Sequence, residues 1–331
     1  MDFLRSIRDW LYGQWIAREV RRFHGRGGKV VVVTGSYGKT SVKELAYDLL
    51  RHKYRAVETS GNYNTPVGIA KTLRYEVAPT TELLILEVGA YHVGEIAWFC
   101  RILHPDVGVM TGIARQHLTR FGSWENIIRA KTEIAEYIHG HGGTLIANGC
   151  DETVRAHVHE TIWYTGGSRG EVNQNGARAI ARACGMSEQE IAAAEQHIRS
   201  VPNRFEMTEA RYGMKVIDDS YNSNEKSFVE AVQYLGRQKK YTRILVTPGL
   251  LELGRETTPV HQKLGKLVNG NADVLILVGD TEQTRALTAG ASGVRTITIA
   301  KTLDFMGAVA ALKLRKEPLV LLENDIPETH A

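Results

Sequence analysis

The run Val30-Val31-Val32-Val33-Thr34-Gly35-Ser36-Tyr37-Gly38-Lys39-Thr40-Ser41 constrains this chain more than any other segment. Four β-branched residues predict a buried strand. A glycine-bearing turn follows, and then Val42, Leu45, Ala46, Leu49 and Leu50 repeat at helical spacing. Strand, glycine loop and helix in that order form a cradle for a nucleoside triphosphate. Backbone N–H groups of Gly35, Ser36, Gly38 and Ser41 face the phosphates, Lys39 adds a positive charge, and the Thr40 hydroxyl ligates Mg²⁺. ATP and Mg²⁺ are therefore the expected cofactors. The common version of this loop has a glycine five residues before the Gly-Lys pair, where this chain has Val33; the glycine stands at 35 instead.

Other classes of function are excluded by composition. The 331 residues suffice for two or more domains, and 43% hydrophobic with 24% charged residues is ordinary for a soluble globular protein. A net charge of +4 is too small to argue for nucleic acid. No uninterrupted apolar run reaches the ~18 residues of a membrane span. Arg5, Arg8 and Asp9 interrupt any signal-peptide core. Cys100, Cys150 and Cys184 are widely spaced and read as reduced thiols of a cytoplasmic protein.

Residues 3–24 predict one amphipathic helix, with Phe3, Leu4, Ile7, Trp10, Leu11, Gln14, Trp15 and Arg18 near one stripe and Arg5, Arg8, Arg21 and Arg22 around it. Two readings follow: a basic, Trp-bearing helix lying on an anionic membrane surface or docking a partner, or a helix packed on its own domain. Asp9 and Glu19 dilute the charge and favour the second. Gly25-Arg26-Gly27-Gly28 reads as a flexible hinge, closing a segment at 1–27. From 29 onward strands alternate with helices, the signature of an α/β fold with a mainly parallel sheet. The predicted strands are Leu83–Leu86, Val107–Thr111 and Thr144–Ala147, with helices over 42–52, 93–102, 124–138 and 186–199. A second α/β set begins near 203, so the expected domains are a central ATP-binding domain at 28–201 and a smaller Rossmann-like domain at 202–331.

Several segments have the residue types for chemistry. Glu87 follows a strand at its carboxyl end, where α/β folds place metal and phosphate groups. Gly61-Asn62-Tyr63-Asn64-Thr65-Pro66-Val67-Gly68 is a polar loop that could offer amides to a substrate, or a simple turn. Asp218-Asp219-Ser220-Tyr221-Asn222-Ser223-Asn224 follows a strand and opens a helix, where it could bind ribose or serve as a cap. His117, in a loop, and Lys131, on a helix after the cap Ser123, read as ordinary structural residues when taken alone.

Taken together they do not. Thr34–Thr40, Gly61–Asn64, Leu86–Ala90, the His117–Ser123 run, Arg129–Ile134, Pro202–Glu206, Asp218–Asn222 and Leu251–Gly254 occur in an order and spacing that resemble the Mur ligases, most closely the MurF type, over about residues 28–280. That type adds D-alanyl-D-alanine to UDP-MurNAc-tripeptide in peptidoglycan precursor synthesis. The resemblance implies an ADP-forming ligase that joins an acid to an amine through an acyl phosphate. Lys39 and Thr40 would hold the ATP phosphates and Mg²⁺. Glu87 and His117 would serve a second metal ion. Lys131 matches the lysine that carries a carbamate. Asn175 resembles an adenine contact, Arg204 would reach the phosphates, Asp219, Tyr221 and Asn222 would meet the ribose and adenine, and Asn62 and Asn64 would face the acceptor.

The chain departs from that pattern in three places. A uridine-binding domain is expected before the phosphate loop, yet only the 3–24 helix and the glycines stand there. The central domain is short, and Glu171 replaces the His of a His-Asn pair. The C-terminus reads Leu322-Glu323-Asn324-Asp325-Ile326-Pro327 where the family has Lys-Gly-Ser-Arg. These losses fall on substrate contacts and suggest a changed or smaller acid and amine, or reliance on a partner. The alternatives are a folylpolyglutamate-synthase-like ligase, and a non-catalytic ATP-binding subunit that docks a membrane or partner through residues 3–24.

Overall fold

The structure is a computed structural model that describes residues 2–61, 63–197, 206–210, 214–221 and 223–326. The chain divides into two compact units, Met1–Ile113 with Arg120–Arg199, and Ala114–Thr119 with Ser200–Ala331. The segment that carries His117 thus clusters with the second unit.

In chain order the elements up to residue 197 are α1 (Asp2–Gly25), β1 (Lys29–Thr34), α2 (Lys39–Leu50), β2 (Ala56–Glu58), α3 (Pro66–Tyr75), β3 (Leu83–Glu87), α4 (Glu95–Leu103), β4 (Val107–Met110), α5 (Leu118–Phe121), α6 (Trp124–His141), β5 (Thr144–Asn148), α7 (Glu152–His157), β6 (Ile162–Tyr164), α8 (Arg169–Ala183) and α9 (Glu188–Glu195). The six strands pair in parallel in the order β2-β3-β1-β4-β5-β6. Val30–Val33 are fully buried, as the β-branched run predicts for the middle of a parallel sheet. β1 lies between β3 and β4, with Val33 level with Glu87. The crevice beyond the carboxyl end of β1 is where such sheets place their ligands.

The second unit contains β7 (Glu206–Ala210), β8 (Met214–Tyr221), α10 (Glu225–Arg237), β9 (Thr242–Thr247), α11 (Thr257–Val268), β10 (Val274–Val278), α12 (Glu282–Gly290), β11 (Arg295–Ile299), α13 (Phe305–Ala310) and β12 (Pro318–Ile326). Its sheet runs β11-β10-β9-β12-β8-β7, parallel except for the β7–β8 pair. Phe228, Leu235, Leu264 and Leu287 pack one core against it, and Phe305 and Val309 anchor a second. Both sheets have the parallel α/β organisation expected from the alternating pattern.

Three local expectations are corrected. The glycines after α1 are a hydrogen-bonded turn rather than a flexible hinge. Gly27 N–H donates to His24 O (2.8 Å) and Gly28 N–H to Phe23 O (3.1 Å), with the Phe23 ring filling the space beside Gly28. α1 buries Gly13, Ile16, Ala17, Val20 and Phe23; of the predicted stripe Trp10, Leu11, Gln14 and Arg18 are exposed and Trp15 is half-buried, while the side chains of Phe3, Leu4 and Ile7 lie outside the described residues. Contacts to α3 and α4 hold that buried face, so this part of α1 packs on its own unit. Finally, β8 extends to Tyr221, which places Asp218 and Asp219 inside the strand, while the Asn224 side chain caps α10 as the cap reading of this segment expects.

Candidate functional site

The phosphate loop leaves β1 at Thr34 and enters α2 at Lys39. Gly35 has φ 149°, and a Cβ there would meet Thr111 Oγ1 at 2.2 Å and the Gly112 backbone at 3.0 Å. Only glycine lets the chain turn this close to the end of β4. Val33, at the position of the usual first glycine, is buried in the strand, so the turn begins two residues later. Gly38, at φ 78°, is the N-cap of α2, and neither a capping side chain nor an acid sits in the first turn. The start of α2 is thus left without a side-chain cap, as a phosphate cradle requires. Ser36 differs: its N–H donates to Gly112 O at 2.7 Å, so that amide is already engaged. Lys39 Nζ lies 3.5 Å from Ser36 O, and Ser41 is buried on α2.

Around Glu87 three elements converge. It is the last residue of β3 and is buried. The Thr40 hydroxyl donates to one carboxylate oxygen at 2.6 Å, and the Asn64 amide donates to the other at 3.2 Å. The Glu87 N–H donates to Thr59 Oγ1 at 3.0 Å, and Gly89 N–H donates to Asn64 O at 3.2 Å. A hydroxyl and a carboxylate at the end of a strand, beside a phosphate loop, are hard oxygen donors of the kind Mg²⁺ takes. The residues present fit ATP phosphates with Mg²⁺. Among the described residues no three His, Cys, Asp or Glu side chains converge as a metal cluster. The expected set explains this, because Thr40 and Lys131 are not among those residue types.

Lys131 is 5% exposed on the inner face of α6, beside Ala130 and Ile134, with Nζ 5.8 Å from the centre of the Phe121 ring. Two residues on, the buried Glu133 receives the N–H groups of Gly94 (2.5 Å) and Ala97 (2.9 Å), which fixes α6 to the start of α4. Asn175 lies in α8 and is held by Thr165 O (2.7 Å) and by Arg178 (3.0 Å). Its neighbour Asn173 comes nearest the phosphate loop, its Oδ1 3.3 Å from the position a Cβ on Gly38 would take.

In the second unit, His117 (φ 54°) and Glu252 (φ 57°) both adopt the left-handed conformation, and His117 Nδ1 pairs with the Glu252 carboxylate. Non-glycine residues held in that region are costly and cluster at functional sites. A carboxylate on Nδ1 orients the ring, an arrangement common around metal-binding histidines. Asp219 is buried near the end of β8, and Tyr221 is its last residue. Asn62, Arg204 and Asn222 lie outside the described residues.

Sequence reasoning passed over three contributors. Glu252 lay in a matched segment without an assigned role, and its αL backbone leaves no trace in composition. Tyr37 donates its hydroxyl to Asp151, which also receives Ile113 N–H at 3.3 Å and caps α7, so the loop is fastened to the loop after β4. Lys43 is fully buried one turn after Lys39. Its ammonium bonds to the carbonyls of Thr59 and Gly61 (2.9 Å for the latter) and pairs with Glu58 at 3.2 Å. The helix that begins at the phosphate loop thereby holds the segment leading to Asn64. An apparently surplus lysine at helical spacing from Lys39 was the available signal.

The Glu58–Lys43 pair has a pH signature. Burial raises the Glu58 carboxyl from 4.5 to about 7, and Lys43 only partly opposes the rise. The folded state then holds this proton more tightly than the unfolded chain. Its contribution to stability is full below about pH 4.5 and is lost as pH rises through about 7. Glu58→Gln removes that dependence. Melting curves of the two proteins across this window should diverge by up to about 3 kcal/mol, from ~1.4 kcal/mol per pH unit. Parallel curves would show that Glu58 does not titrate there.

The Mur ligase middle domain matches residues 33–192, and the Mur ligase, glutamate ligase domain matches residues 203–323. Similar curated proteins include the UDP-N-acetylmuramoyl-tripeptide--D-alanyl-D-alanine ligases of Escherichia coli strain K12, at 28% identity over 85% of this chain and 69% of that protein, and of Mycobacterium tuberculosis strain H37Rv, at 29% over 80% and 61%. The chain thus spans about two thirds of the length of these relatives. Among solved structures, MurF from Acinetobacter baumannii matches with a TM-score of 0.80 at 24% identity, covering 95% of this chain and 76% of that one. Folylpolyglutamate synthase from Thermotoga maritima matches with a TM-score of 0.61 at 13% identity, covering 98% and 94%. At these identities the structural matches speak for the fold alone.

Proposed function

The chain belongs to the Mur ligase family, and we propose that it is an ATP-dependent, ADP-forming ligase of the MurF-like type that joins an acid to an amine in peptidoglycan precursor synthesis or a related pathway. One observation carries the reading: the Thr40 hydroxyl and the Asn64 amide both converge on the buried carboxylate of Glu87, beside a phosphate loop. Nucleotide-side and acceptor-side groups meet there on one acid.

The chemistry follows from the substrates. An amine does not displace oxide from a carboxylate, so the acid is first activated. A carboxylate oxygen attacks the γ-phosphorus of ATP, the bond to the β-phosphate oxygen breaks, and ADP leaves. The amine then adds to the acyl phosphate carbonyl, an amine proton is lost, and the tetrahedral oxyanion collapses with loss of phosphate, giving the amide. Lys39 neutralises charge on the transferred phosphoryl oxygens, and the amides at the start of α2 bind and orient the phosphates. Thr40 and Glu87, with His117 and a carbamate on Lys131, would hold Mg²⁺, which supplies charge neutralisation at those oxygens. Asn64 orients the acceptor, with Asn62 in the same loop. Asn175, Arg204, Asp219, Tyr221 and Asn222 take the nucleotide. The uridine-sugar substrate is not assumed, and the enzyme is read as cytoplasmic.

Incubation with ATP, Mg²⁺ and paired acids and amines, peptidoglycan precursors among them, should give phosphate release that needs both partners. No stimulation by any such pair would count heavily against the proposal. A pteroate-type acid with glutamate as the productive pair would select the folylpolyglutamate-synthase-like alternative. Tight ATP binding with no turnover would select the non-catalytic subunit.

A further inference from the structure

α1 and α3 enclose an open groove of about 520 Å³, lined by Leu11, Tyr12, Trp15 and Tyr75 and by the cations Arg8, Lys71 and Arg74. No carboxylate lines it. The described residues contain eight exposed large hydrophobic side chains, and two of them line this groove: Leu11 (56%) and Tyr75 (76%). A third, Tyr63, lies under the ammonium of Lys71. Arg74 lies over the Tyr75 ring. Isolated exposed hydrophobics need no explanation, but a cluster rimmed by a single sign of charge does.

We infer that this face binds the surface of an anionic lipid bilayer. The inference extends the reading of α1 as a docking element and is independent of the ligase chemistry. Charge complementarity and shape both point this way. Arginine and lysine beside tryptophan and tyrosine are the composition of a membrane-interface contact, in which cations meet headgroup phosphates and the rings enter the boundary with the acyl chains. A groove that receives a partner's helix would recess its apolar anchors in pockets. Here Leu11 and Tyr75 stand out from the surface, as wedges entering a soft phase do. The lower half of α1 is fixed by Ile16, Val20 and Phe23, so the exposed turns are presented on a rigid support.

Co-sedimentation of the full chain with vesicles tests this. Mixed phosphatidylglycerol–phosphatidylcholine vesicles should bind on the order of a hundredfold more tightly than phosphatidylcholine alone, the scale set by three cations near an anionic surface. High salt should remove the difference. The Lys71→Glu/Arg74→Glu double variant and the Leu11→Ala/Tyr75→Ala double variant should each lose binding while keeping the parent's melting temperature and turnover. Vesicle binding should also blue-shift tryptophan emission, and Trp15→Phe should remove most of that shift. Equal binding to both vesicle types, no binding to either, or undiminished binding by both double variants would overturn the inference. The second of these outcomes would hand the face to a protein partner.

Discussion

Lys131→Ala will lower turnover by about three orders of magnitude, and short carboxylic acids such as acetate or formate will restore part of it. The magnitude is the several kcal/mol that a correctly held metal ion contributes to a phosphoryl or acyl transfer. Lys131 sits on the buried face of α6, 5% exposed. A carbamate at the same position converts a cation into an anion with two oxygen donors, the kind of ligand Mg²⁺ takes. Removing the side chain leaves a space about the size of a small acid, and the acid's oxygens can replace the carbamate's. Alanine favours the helix, so α6 persists, and Glu133 still ties it to α4. Circular dichroism and ATP binding by calorimetry should therefore match the parent while the rate collapses. A folded variant with parental turnover would remove Lys131 from the mechanism. One that is inactive and indifferent to added acids would assign the loss to the ammonium rather than to a carbamate.

What was legible in the sequence follows from the range of the forces involved. β1 and α2 were readable because a valine run and a helical repeat are local patterns, and the displaced glycine followed from the same window. The parallel sheets were readable from strand and helix alternation. The partners of Glu87 were not. Thr40 is 47 residues away and Asn64 is 23 away, and only strand order brings the three together. β2, with three half-buried residues, was too short to signal, and α8 was hidden by a polar, glycine-containing run. The stripe on α1 was misplaced because hydropathy predicts that Trp10 and Leu11 go inward. Tertiary packing chose Gly13, Ile16 and Val20, since Gly13 admits Trp98 against the helix. The His117–Glu252 contact joins residues 135 apart, both with positive φ, and no periodicity encodes it.

Glu87→Gln separates the two roles of that carboxylate. In the parent it accepts from the Thr40 hydroxyl and from the Asn64 amide. Glutamine can keep both contacts: its carbonyl oxygen accepts from Asn64, and its amide donates to Thr40, whose hydroxyl rotates to accept. The local structure is therefore expected to survive, and the net change is the loss of one buried negative charge. Without Mg²⁺ that charge has no bound cation to oppose it, so Gln should melt at the parent's temperature or slightly above it, a gain of at most about 1–2 kcal/mol. With Mg²⁺ and ATP the order should reverse. The parent gains the stabilisation of its bound metal–nucleotide complex, and the variant loses much of that gain. Turnover should fall about 10²–10³-fold, the scale of one removed electrostatic contact to the transferring group. The Mg²⁺ concentration for half-maximal rate should rise. Thermal melts of both proteins with and without Mg²⁺–ATP, together with an Mg²⁺ titration of the rate, check the whole pattern. A variant that kept both its Mg²⁺–ATP melting shift and its turnover would show that Glu87 positions Thr40 and Asn64 without touching the metal. The metal would then have to be sought among His117 and Lys131.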